Sequence, residues 1–189
     1  MSEGHFHVHG PHDHEVEHRA AHDPFAGRIA VMTAIFATVG AIFGYMAGKT
    51  QNDALVFKNE AAIRKTEASD QWNFYQAKSS KQNLAELGAT LATGDAQARF
   101  QKEVERYKKE KDEIMPEAKK FEEQSKAAEE KSEAAMHVHH RWAQATTLIQ
   151  IAIALAAITI LTRNRGLMLV SYAVGAVSVA VGALAFVHV

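Results

Sequence analysis

Apolar residues in this chain are gathered into blocks. Residues 29–48, 143–161 and 167–187 hold no Asp, Glu, Lys, Arg or His. A helix needs about 20 mostly apolar residues to cross a hydrocarbon core of ~30 Å. The blocks lack the polar stripe that a surface helix of a soluble globule carries. They predict three transmembrane helices, at 29–48, 142–161 and 167–187. The first exceeds the apolar core of a signal peptide, usually about 7–15 residues, and no small-residue cleavage site follows it. It reads as an uncleaved anchor.

The segment between the first two blocks, residues 49–141, has a different pattern. It carries 17 Lys+Arg and 17 Asp+Glu. Two long helices are predicted, broken at Ala92-Thr93-Gly94-Asp95. Gly94 suits a left-handed helix end and Asp95 the cap of the next helix. The second helix has a seam in which Phe100, Val104, Tyr107, Lys111, Ile114 and Ala118 begin a four-three spacing. It continues through Phe121, Ser125, Ala128, Ser132, Ala135 and His139. That is a heptad pattern for coiled-coil packing. The first helix shows two partial seams. Phe74, Ala77, Leu84 and Leu91 fit one; Phe57, Ala61, Ala68, Trp72 and Tyr75 fit the other. A stutter between them is expected. Pro116 is expected to kink the second helix. Residues 49–91 and 96–141 would be roughly 65 and 69 Å long as helices. The expectation is an all-α integral membrane protein: three transmembrane helices with a long antiparallel helical hairpin, a stalk, between the first and second. Residues 1–28 would form a flexible tail and 162–166 a short basic loop.

Composition narrows the chemistry. With a net charge of −1 the chain does not bind nucleic acid by bulk electrostatics. It has no cysteine, so disulfides, thiolate metal sites and a cysteine nucleophile are excluded. The mean hydropathy of −0.20 averages membrane blocks with a charged stalk. Arg19 and Arg28 in the tail, with Arg163 and Arg165 in the short loop, place these two segments on the cytoplasmic side. Residues 49–141 would then lie in the periplasm.

Three constellations stand out. His5, His7, His9, His12, His14, His18 and His22 crowd the tail. Neutral imidazoles are ligands for Zn, Ni or Cu, so this tract is the candidate metal site. His137, His139, His140 and His188 are expected at one membrane surface, beside Trp142 as an aromatic-belt residue. Small residues line two spans: Gly40, Gly44 and Gly48 in the first, and Ser171, Gly175, Ser178, Gly182 and Ala185 in the third. Such lines let helices approach closely, within a subunit or between copies. A pore lined by Gln144, Thr147 and Gln150 is a further possibility if copies assemble. In the stalk, Asp70, Trp72, Tyr75 and Lys78 form either a packing knot or a partner patch. Neither a phosphate-binding glycine loop nor a nucleophile elbow is present, and a thin hairpin offers no concave pocket for catalysis. An enzyme is not expected.

The segments NDALVFKNEA at 52–61 and SDQWNFYQAKSSK at 69–81, with one span before and two after, resemble a family of bacterial membrane proteins: domain of unknown function 4337. The resemblance covers about residues 25–185. It implies a bacterial inner-membrane protein of this layout and transfers no catalytic residue. The expected function is a membrane-anchored coiled-coil scaffold, a homo-oligomer in contact with lipid and with a protein partner along the stalk. Metal binding through the tail and an oligomeric channel are the alternatives.

Overall fold

A computed structural model describes residues 23–187. They form three helices: α1, Pro24–Leu91; α2, Asp95–Thr162; and α3, Arg165–Phe186. Each contains a stretch long and apolar enough to cross a membrane. The helices α1 and α2 have 68 residues each, so each joins a predicted span to a predicted stalk helix without a break. The chain divides into two compact units. One is built from the described residues up to Lys49 and from His137 onward, the other from Thr50–Met136.

The helix ends follow local chemistry. Helix α1 starts five residues before the predicted span. Asp23 Oδ1 accepts from the backbone N–H groups of Phe25 (3.1 Å) and Ala26 (3.2 Å). Pro24 takes the first helical position, where its missing N–H costs nothing. Helix α1 ends at Leu91, and Gly94 adopts φ +65°, the left-handed conformation expected of it. Asp95 is the first residue of α2 rather than its cap, a place where a carboxylate still meets the positive helix end. Pro116 does not interrupt α2. The basic loop contracts to Arg163 and Asn164. Asn164 Oδ1 caps α3 by accepting from Gly166 N at 2.8 Å. Arg163 pairs with Asp23 at 2.6 Å.

In the first unit, the core gathers Phe43, Trp142, Ala145, Ile149 and Ala185. A second cluster holds Ile29, Met32 and Ala156. Trp142 is only 4% exposed and packs at 5.4 Å from the Phe43 ring. It is a core residue, not the belt residue expected, because the small Ala145 and Ala185 leave room for an indole. The line of small residues on α3 is wholly buried. A Cβ at Gly175 would lie 2.3 Å from the Phe36 ring, and one at Gly182 2.5 Å from Phe43. Phenyl rings seven residues apart on α1 therefore sit over glycines seven apart on α3. Ser171 and Ser178 donate to the carbonyls of Ala152 (2.8 Å) and Ala145 (2.7 Å) on α2.

In the second unit, α1 and α2 run antiparallel. Ser125 Oγ donates to Ala61 O and Ser132 Oγ to Ala54 O, both at 2.9 Å. Seven residues forward on α2 match seven backward on α1. The same register brings Lys111 over the Tyr75 ring and Gln97 to the carbonyl of Ala89. Ala54, Ala61 and Ala68 are buried on α1, facing a line on α2 that includes Ile114, Ala118 and Ala128. Alanine at these positions lets the backbones come close enough for a serine hydroxyl to reach a carbonyl. The two partial seams of α1 need no stutter. Phe57, Ala61, Ala68, Trp72 and Tyr75 face α2, while Ala77, Leu84 and Leu91 are exposed on the opposite side and Phe74, also exposed, sits at the flank under Lys78. At 100° per residue, both sets fit on one regular helix.

Candidate functional site

The densest meeting of aromatic and charged side chains lies in the second unit, where 72–78 of α1 oppose 107–122 of α2. Trp72 and Tyr75, three residues apart, share a helix face. Their rings meet edge to face at 5.6 Å. Trp72 Nε1 donates to Glu122 Oε1 at 2.8 Å. Lys78 Nζ lies 2.6 Å from Glu110 Oε2 and stands 4.9 Å from the Phe74 ring and 5.8 Å from the Tyr107 ring. Arg106 approaches the same carboxylate at 3.6 Å and stacks over Tyr107 at 4.6 Å. The hydrogen bond from Lys78, with the charges of Lys78, Arg106 and Lys81, holds the Glu110 carboxyl below the ordinary glutamate range. Glu129 is likewise lowered by its bond with Lys58, whose own pKa is raised by the same contact.

An open groove of about 530 Å³ runs beside Trp72, with Lys65, Ser69, Gln76, Glu122 and Lys126 on its walls. It offers both charges and an indole edge. Of the four residues singled out in the sequence, Trp72 and Tyr75 meet directly, Lys78 joins the same stretch through Phe74, Tyr107 and Glu110, and Trp72 alone of them lines the groove. Asp70 does not join them: it is exposed on the outward side of α1. Glu110 and Glu122, which complete the arrangement, carry no sequence signal. They are two of many carboxylates on a charged helix, and only the antiparallel register selects them.

The remaining candidates separate by environment. Gly40 meets Ile149 at 3.0 Å from an added Cβ, whereas Gly44 and Gly48 face open space among the described residues. Ser171, Gly175, Ser178 and Gly182 are committed to packing within the chain. His139 Nδ1 lies 2.9 Å from Ala47 O. A carbonyl only accepts, so Nδ1 carries the proton. The His139 and His140 rings are 5.7 Å apart. Among the described residues no three His, Asp or Glu side chains are placed to hold a metal ion. His5, His7, His9, His12, His14, His18, His22 and His188 lie outside the described residues. Gln144, Thr147 and Gln150 are exposed on α2.

No curated protein and no solved structure matches this chain. A family model does, over residues 25–188, which takes in all three helices. The chain thus belongs to the family described as domain of unknown function 4337.

Proposed function

We propose that this protein is a membrane-anchored scaffold in which Thr50–Met136 forms an antiparallel coiled coil and copies of the chain associate. The observation that carries the reading is the seven-residue register of that unit, marked by Ser125 on Ala61 and Ser132 on Ala54. A repeat of seven over both helices is the signature of coiled-coil packing. Coiled coils of this kind supply long, regular surfaces for other helices. The three apolar stretches provide the anchor. Arg28, Arg163 and Arg165 favour a cytoplasmic tail and a periplasmic second unit in a bacterial inner membrane. The groove beside Trp72 supports a protein partner with exposed charge. The test is native mass spectrometry of the full chain released from lipid vesicles, with affinity capture from the host membrane. An oligomer, or a stoichiometric captured protein, is expected. A monomer that captures nothing overturns the reading.

A second reading, an oligomeric pore, draws on the exposure of Gln144, Thr147 and Gln150 on one span. Thr147 satisfies itself on Ala143 O at 2.9 Å, but an amide facing hydrocarbon needs a partner. Gln150→Leu would abolish single-channel conductance in planar bilayers if the amides line a pore. The absence of any conductance from the native chain removes this reading.

A further inference from the structure

The outward side of α1 in the second unit differs from every other surface of that unit. Starting at Leu55 and stepping alternately by four and three, every position up to Thr90 is uncharged and exposed, with Ser69, Asn73 and Gln76 also bordering the groove beside Trp72. One line of this stripe is Asn59, Thr66, Asn73, Ser80 and Leu87. Beside it runs a third line of exposed residues: Val56, Ile63, Asp70, Ala77, Leu84 and Leu91. Val56, Ile63, Leu84 and Leu91 are 56–78% exposed, high for large apolar side chains. The three lines together hold one charge, Asp70. The outward side of α2 has no counterpart, since Lys102, Lys109, Glu113, Lys120, Glu123 and Glu130 dominate it.

We propose that this face of α1 docks a second copy of the chain, the two α1 helices lying parallel and in register. The proposal rests on the scaffold reading above and names its self-association surface. Three features point to a second copy. The first is spacing: four-three steps are the geometry by which a helix packs on another helix. The second is the seam chemistry. Asn59 and Asn73 fall two heptads apart on the central line, and an amide both donates and accepts. In a parallel pair each asparagine meets its own counterpart and can satisfy it, the arrangement by which buried asparagines fix register. The third is charge at the borders. Lys65 lines one border and Glu60 the other, while Lys58 and Glu67 beside them are already paired within the chain, to Glu129 and Arg64. About a twofold axis parallel to the helices, the basic border of each copy meets the acidic border of its mate. Lys65 also stands five residues before Asp70, the offset at which border charges pair across two parallel helices. The single charge on the face then has a cation from the partner. In an antiparallel pair centred on the face, Asp70 meets the region of Ala77 instead. Membrane insertion favours the same choice, because identical chains enter the bilayer in one orientation.

The stripe from 55 to 91 is ~54 Å long and about 10–12 Å wide as a helix surface. That projects to roughly 600 Å², of the order of the ~800 Å² per partner in a stable complex. A seam rich in Asn, Ser and Thr binds weakly for its size. Confinement to one membrane raises the effective concentration and compensates.

Because the chain has no cysteine, single-cysteine variants report proximity cleanly. Asn59→Cys, Asn73→Cys and, as control on α2, Lys120→Cys are placed in the full chain, in vesicles, under mild oxidation. Disulfide dimers at both 59 and 73, at least tenfold above the control, are expected. Cross-linking at 73 alone signals an antiparallel pair and overturns the proposal, as does control-level cross-linking at both. The mass of the unmodified chain separates the two ideas. An oligomer without cross-links at 59 leaves the scaffold standing and removes this face; a monomer removes this face, and a monomer that also captures nothing removes both. A second variant, Thr66→Glu with Asn73→Glu, alters only exposed positions. It should keep its helical circular dichroism and melting temperature while association weakens tenfold or more. Unchanged association in that variant also overturns the proposal.

Discussion

At the scale of single residues, contact between helices in the first unit depends on what is missing from side chains. Gly175 and Gly182 leave space for Phe36 and Phe43. Replacing Gly182 with Val places a branched carbon where the Phe43 ring already lies. Overpacking of this kind costs about 1–3 kcal/mol, more than the helix propensity gained over glycine, about 0.5–1 kcal/mol. Gly182→Val should therefore lower the melting temperature in detergent, and a second change, Phe43→Leu, should restore part of the loss. Gly44→Ala meets nothing within 4 Å, so it should be neutral or stabilising by up to ~1 kcal/mol in the monomer. The small-residue lines were readable in the sequence. Which rings fill the line on α3 was not, because these stretches are apolar on every face and hydropathy then points nowhere. The same blindness hid Trp142, whose interior position depends on Ala145 and Ala185 being small.

At the scale of elements, turn chemistry was the most legible part of the sequence. The break after Leu91 and the left-handed Gly94 follow from Thr-Gly-Asp between two periodic runs. Gly94→Ala keeps the turn but forces a β-carbon into φ +65°, a cost of about 1–2 kcal/mol. Urea unfolding with a steady m-value would show it. The start of α1 at Asp23-Pro24, a cap followed by a first-turn proline, lies before the apolar block that begins at Ile29, so hydropathy alone does not mark it. Between elements, the Lys78–Glu110 pair makes the second unit sensitive to acid. A carboxyl lowered on folding stabilises fully above its ordinary value of 4.5 and loses that contribution as pH falls through the lowered one. Glu110→Gln should thus be less stable than the native chain at pH 7, with the two curves converging in thermal melts toward pH 3. A constant gap across that range would show that the pair contributes only packing. Glu129 follows the same sign through Lys58.

At the scale of the molecule, the two tryptophans report on the two units separately, since Trp72 belongs to one and Trp142 to the other. In vesicles of brominated phospholipid, Trp72→Phe leaves Trp142 as the emitter and its fluorescence should be strongly quenched. Trp142→Phe leaves Trp72, which should emit almost as in plain lipid. Equal quenching of both variants would contradict anchoring by the first unit alone. The all-helical layout and the three stretches long and apolar enough to cross a membrane were plain from block composition. The outward face of α1 was not, because two seams on one helix look like a single seam with a fault until burial separates them. Asp70 shows the difficulty: its sequence neighbours are Gln71 and Trp72, yet it lies on the other side of the helix.

The serine hydroxyls that reach alanine carbonyls have a mechanical consequence. Ser125 and Ser132 engage Ala61 and Ala54, and Ala68 continues the same row seven residues on. Sliding α2 along α1 by one or two residues would lift both hydroxyls off their carbonyls together. Sliding by seven would drop Ser125 onto Ala68 and Ser132 onto Ala61, an equivalent seat. The pair of helices behaves as a shaft with detents: stiff against small displacement, and with discrete alternative stops one heptad apart. The tight turn at Gly94 then selects the stop.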